Sequence, residues 1–187
     1  MSKDTSKNKS TLILMIAVFV LPVILAYSAL KLDWFNKAAT NRGELLQPVI
    51  EAQSLLSESD VKWHLVYVLP TECLVQCENA LYGIEQTYRA TGKESDRVSL
   101  LFIATENSSP LAIETAQSKR GAILLQKSQD NVNEVFKNKD INAIFISDTQ
   151  HNIVLRYPVT TDRDQAIMDS RDILADLKKL LKLSRIG

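Results

Sequence analysis

With 187 residues, the chain is long enough for one domain and an appendage. Its 22 basic and 22 acidic residues cancel, which speaks against a nucleic-acid partner, because phosphate binding needs a concentrated basic face. There is no P-loop, no Gly-rich dinucleotide fingerprint and no histidine spacing of a zinc hydrolase.

The leader, residues 1–11, carries Lys3, Lys7 and Lys9 against Asp4. Residues 12–30 then run without a charge, with Pro22 and Ser28 as mild interruptions. A helix of that length spans about 28 Å, close to the hydrocarbon thickness of a bilayer. A cleaved signal peptide is the rival reading, because Ala26-Tyr27-Ser28 is a passable small-x-small site. The apolar part of a signal peptide is normally shorter, about 7 to 15 residues, so an uncleaved anchor is favoured. Lysines ahead of the span stay in the cytoplasm, which puts the body of the chain outside it. In a bacterium that compartment is the periplasm, where a cysteine pair can be oxidised. Residues 31–58 read as a tether. Trp34 and Phe35 suit the membrane interface, Asn41-Arg42-Gly43 is a turn signal, and Pro48 argues against one long helix.

From residue 59 to 187 the elements alternate. Residues 62–69 read as a strand, 76–90 as a helix closed by Gly92, and 98–104 (VSLLFIA) as a strand buried on both faces. Weaker patterns follow: short helices over 111–119 and 131–137, with a short strand over 122–125 between them. Residues 143–146 and 153–157 are two strands joined as a hairpin and stopped by Pro158. Asp162 and Gln165 resemble a capping box at the start of a last helix, with Ile167, Leu174, Leu177 and Leu181 on its apolar stripe. The expected fold is α/β and thioredoxin-like, a βαβ unit plus a β-hairpin and a C-terminal helix, with a transmembrane helix at the N-terminus.

Both cysteines, Cys73 and Cys77, follow the first body strand, where the chain enters its helix. A helix N-terminus favours thiolate over thiol. Cys77, Leu81, Ile84 and Tyr88 share one helix face, so Cys77 faces the core and Cys73 lies just before the helix or in its first turn. Their Cα atoms are expected about 6 Å apart, within disulfide range. The pair can be a dithiol, a disulfide or two ligands of a soft metal; a buried cysteine beside an unrelated neighbour is the bland alternative.

The stretch WHLVYVLPTECLVQCENALYGIEQ, with the anchor and NRGELLQP, resembles the Sco-like proteins associated with cytochrome c oxidase assembly. The resemblance implies a thioredoxin-like domain outside the membrane. It also implies action through Cys73 and Cys77, on copper or on the thiols of the copper site in oxidase subunit II. The departures are specific. The third copper ligand of that family, a histidine ahead of the first hairpin strand, is replaced here by Lys137-Asn138-Lys139-Asp140. Those positions also lack the proline that thioredoxins keep there, and the loop Cys73-Leu74-Val75-Gln76-Cys77 lacks the proline usual within the Sco motif.

Neither histidine of the chain fits as a substitute. His64 sits about 15 Å down its strand from the cysteine loop, a strand-face residue. His151 lies in the hairpin turn at the opposite pole, as a solvated turn residue. Met168, on the last helix, reads as core. Two thiolates alone suit Cu(I) and hold Cu(II) or zinc poorly. The nearest carboxylates, Glu72, Glu78 and Asp140, are hard ligands, and Glu72 and Glu78 work against thiolate formation. Three readings stay open: an oxidase-assembly accessory acting on copper or partner thiols, a periplasmic thiol–disulfide oxidoreductase, and a non-catalytic interaction domain.

Overall fold

The structure is a computed structural model and describes residues 4–31, 41–137 and 139–184. The chain divides into two compact units, Met1–Thr40 and Asn41–Gly187. Trp34 and Phe35, expected at the membrane interface, lie outside the described residues.

Among the described residues, the first unit contains one helix, α1 (Asp4–Lys31). Its segment Thr11–Ala29 has a mean hydropathy of 2.7 and is long and apolar enough to cross a membrane. The Lys31 ammonium lies over the Tyr27 ring, 5.6 Å from its centroid.

The second unit begins with a strand rather than a tether. Residues 44–51 form β1 (Glu44–Glu51), followed by the short helix α2 (Gln53–Leu56). Strand β1 pairs antiparallel with β6 (Asn152–Pro158), Glu44 opposite Arg156 and Ile50 opposite Ile153. Pro48 and apolar residues that come as adjacent pairs, Leu45-Leu46 and Val49-Ile50, rather than in alternation hid this strand from pattern reading. Proline is tolerated here because β1 is an edge strand.

The other elements follow the expected order. Strand β2 (Trp63–Val68) leads into α3 (Val75–Thr91), which ends at Gly92 with φ 60°. Strand β3 (Val98–Ala104), helix α4 (Pro110–Gln117) and strand β4 (Ala122–Gln126) come next. Helix α5 (Gln129–Phe136), strand β5 (Ala143–Ser147), β6 and helix α6 (Arg163–Leu183) complete the unit. Side-chain oxygens cap three of these helices: Ser109 for α4, Ser128 for α5 and Asp162 for α6. Asp162 receives the amides of Asp164 and Gln165, but the Gln165 side chain turns forward to Asp169, so the box is half made.

The sheet order is β1-β6-β5-β2-β3-β4. Strands β2, β3 and β4 run parallel, whereas β5 is antiparallel to β2 and β6 to β5. Every residue of β2 and β3 is buried, as central strands covered on both faces require. Leu65, Tyr67, Leu100, Phe102 and Ile146 pack on one side with residues of α3, α4 and α6. Val66, Leu101, Ile103 and Phe145 pack on the other with residues of α2 and α5.

Two expectations on α6 are corrected. Its buried stripe is Ala166, Ser170, Ile173, Leu177 and Leu181, while Ile167 and Leu174 are half-buried. Met168 is 50% exposed rather than core. Leu177 and Leu181 keep their places, while Ala166 and Ile173 replace Ile167 and Leu174, and Ser170 and Asp176 are buried with them. The Ser170 carbonyl accepts from Thr87, and Asp176 accepts from Tyr157 and from the backbone amides of Arg42 and Gly43. Polar residues with internal partners are invisible to an apolar periodicity. Gly43 is required at this junction, because a Cβ there would fall 2.4 Å from Cζ of Tyr157.

Candidate functional site

Strand β2 ends at Val68, and the chain turns through Leu69 and Pro70 into the cysteine loop. Two hydrogen bonds pin this turn to the loop after β3: the Ser108 hydroxyl donates to the Leu69 carbonyl at 2.8 Å, and the Ser109 amide to the Pro70 carbonyl at 2.8 Å. Cys73 therefore stands on a fixed ledge.

Cys73 and Cys77 are joined as a disulfide with their Cα atoms 5.1 Å apart. Cys77 is 2% exposed, in the first turn of α3, and its face continues through buried Leu81 and Ile84. Cys73 is half-buried. The two sulfurs thus differ in access, and only one is available to a reagent of any size. Leu74, the N-cap residue of α3, makes no side-chain cap bond, so the first amides of the helix, at its disulfide end, are not capped by the N-cap side chain. Glu72 and Glu78 are both exposed.

Beside the disulfide lies an open cleft of about 440 Å³. Its lining includes Tyr67, Leu69, Cys77, Asn107, Gln129 and Asn142. Asn142 donates from its side-chain amide to Gln76, and Thr105 donates to Gln129, so the walls are amide-rich. Tyr67 is fully buried, and burial pushes its phenol up to about 12. Sequence reading passed over Tyr67 as one more residue of an apolar run. The signal that could have flagged it was a polar-tipped side chain in a strand buried on both faces.

Of the residues weighed as further ligands, none joins the cysteines. The Asp140 carboxylate meets Arg156 at 2.6 Å and accepts the Asn142 amide. Asn138 lies outside the described residues, and Lys137 caps α5 with φ 48°. His64 pairs with Ser147 at the far end of β2, away from the cysteine loop. His151 is at that same far end but is 7% exposed, not a solvated turn residue. It is drawn inward because its ring reaches Ser59 and Gln53. Among the described residues, no group of three or more His, Cys, Asp and Glu is placed to hold a metal ion.

A parallel βαβ unit, a following hairpin, a closing helix and a cysteine pair at the head of the first helix define a thioredoxin-like protein. Residues 63–184 match the family described as transmembrane-like, thioredoxin-like, C-terminal domain, and the chain belongs to that family. The fold is also that of Sco proteins, in line with the resemblance carried by the cysteine stretch. Apo Sco1 from Thermus thermophilus superposes with a TM-score of 0.55 at 18% identity, over 78% of this chain and 100% of that one. Yeast Sco1 gives 0.51 at 15% identity, over 66% and 81%. Copper-bound ScoI of Bradyrhizobium japonicum gives 0.43 at 20% identity, over 62% and 87%. No curated protein sequence matches the chain.

Proposed function

We propose that this chain is an accessory protein of respiratory oxidase assembly, held in a bacterial inner membrane by residues 12–30 with its thioredoxin-like domain in the periplasm. Its Cys73–Cys77 pair exchanges disulfide for dithiol with a partner's cysteines, those of the copper site in oxidase subunit II being the candidate. The carrying observation is the asymmetric disulfide, with Cys73 half-buried and Cys77 shielded at the head of α3. In the exchange, the thiolate of a reduced Cys73 attacks a partner disulfide, and one partner sulfur leaves as thiolate. Cys77 then attacks the mixed disulfide, so the partner ends as a dithiol and this pair as a disulfide.

Cys77→Ser tests this by trapping. The full-length variant, expressed beside oxidase subunit II, should accumulate a mixed disulfide through Cys73, and Cys73→Ser should not. Absence of any covalent adduct at the subunit's cysteines would overturn the reading. A reporter fused after Gly187 should be active only outside the cytoplasm; activity inside it would remove the periplasmic assignment.

Copper is the second reading, favoured by two adjacent soft sulfur ligands. Once reduced, the pair fits Cu(I), which accepts two thiolates in near-linear coordination. It does not fit Cu(II), since the described residues add no imidazole at the cysteine end.

A further inference from the structure

The Tyr67 hydroxyl is buried and has no hydrogen-bond partner among the described residues. Polar groups in that position are rare in folded proteins and ask for a reason. Tyr67 lies on the face of β2 that carries Leu65, packs in the same cluster as Leu69 and Cys77, and lines the same cleft as both. With its phenol raised to about 12 by burial, it keeps its proton at neutral pH and remains a donor.

The disulfide state gives that donor little to bind, because a disulfide sulfur is neutral and a weak acceptor. Reduction changes the demand. A partner dithiol attacks Cys73 Sγ through a thiolate, the Cys73–Cys77 bond breaks, and the electron pair goes to Cys77 Sγ. The partner's second thiolate displaces Cys73 and the partner leaves as a disulfide; of the two protons it released, one goes to the Cys73 thiol and one to solvent, and Cys77 stays as the thiolate. In the reduced pair Cys77 is then an anionic sulfur, 2% exposed, in the same apolar cluster as Leu69, Ala80 and Leu81. An anion in such surroundings needs donors. The open amides at the head of α3 supply some, and Tyr67 has an unused one.

We propose that Tyr67 is the hydrogen-bond donor reserved for the Cys77 sulfur, left unpaired in the disulfide state and engaged on reduction. This sets the balance of the pair toward its reduced form. The inference rests on the redox reading of the pair, and it assigns the residue that tunes that chemistry.

The test uses full-length protein in detergent, wild type and Tyr67→Phe, equilibrated in buffers of reduced and oxidised dithiothreitol. Charge-assisted hydrogen bonds are the stronger ones. The variant should therefore shift toward the disulfide by roughly tenfold, about 30 mV more negative. The oxidised variant should melt no lower than oxidised wild type, because the lost hydroxyl had no partner; the reduced variant should melt lower than reduced wild type. An unchanged equilibrium in a normally melting variant overturns the role of Tyr67 and leaves the redox reading intact. A lower melting point of the oxidised variant overturns it too, since the hydroxyl would then be engaged before reduction. A wild-type pair that dithiothreitol cannot open in the folded protein would remove the redox reading itself, and this inference with it.

Discussion

The imidazoles of His64 and His151 stack with their centroids 5.9 Å apart and their planes at 11°, and each presents Nε2 to the Ser59 hydroxyl at 3.3 Å. Ser59 in turn donates to the Leu56 carbonyl, Ser99 meets Nδ1 of His64 at 2.9 Å, and Gln53 meets Nδ1 of His151 at 3.2 Å. This knot joins α2, β2, β3 and the β5–β6 turn at the pole opposite the disulfide. His151 holds φ 64° to enter it, a conformation in which a non-glycine residue needs local support.

Acid should loosen this pole. Burial first, and then the neighbouring His151, lower His64 to about 4 from 6.5; Lys62 adds slightly to that, while the carbonyl and carboxylate of Asp60 oppose it. The folded state therefore disfavours the protonated ring. The stability tied to neutral His64 is intact above about pH 6.5 and is lost as pH falls toward 4, to the extent of about 3 kcal/mol. Urea unfolding between pH 7.5 and 4.5 should show that slope in wild type and a much flatter one in His64→Gln. Equal slopes would show that other groups carry the acid sensitivity.

The cysteines should differ in reactivity after reduction. Cys73 is half-buried and Cys77 is 2% exposed, so iodoacetamide on the reduced native protein should modify Cys73 first. Mass spectrometry of partly labelled protein reads the order directly. Faster labelling of Cys77 would contradict the packing of α3 against the sheet.

Asp176 should be costly to replace. It is 2% exposed and accepts the amides of Arg42 and Gly43 and the Tyr157 hydroxyl at 2.7 to 2.9 Å. Asp176→Ala leaves those donors unpaired, a loss of about 2 to 4 kcal/mol on the scale of broken buried networks. Because two of the donors lead into β1, limited proteolysis of the variant should cut near residues 41–52 before elsewhere. Wild-type stability would mean that the donors find other acceptors.

Copper binding should ignore the histidines. Reduced full-length protein is expected to take one Cu(I), and Cys73→Ser or Cys77→Ser to abolish it. His64→Ala and His151→Ala should leave affinity within about threefold, since a true ligand or its supporting shell is worth roughly 10 to 100-fold. A large loss on replacing His151 would mean that the two ends of the sheet communicate in a way that their separation forbids.

The sequence by itself determined the central strands, the anchor pattern and the place of the cysteine pair. Unbroken apolar runs such as 98–104 can be satisfied only by burial on both faces, and a Cys-Leu-Ile spacing of 4 and 3 has one helical solution. What only the tertiary structure decided depends on partners distant in the chain. Strand β1 acquires its identity from β6, about a hundred residues away, because an edge strand is specified by the neighbour it pairs with more than by its own pattern. Asp176 counts as core only once its hydrogen-bond partners Arg42, Gly43 and Tyr157 fold against it. His151 moves from solvent to interior for the same reason, since a polar side chain is buried only where other segments supply its partners. Tyr67 is the converse: its apolar neighbours fixed its burial, and only the packed structure shows that its hydroxyl has no partner among the described residues, in the cleft that Cys77 also lines.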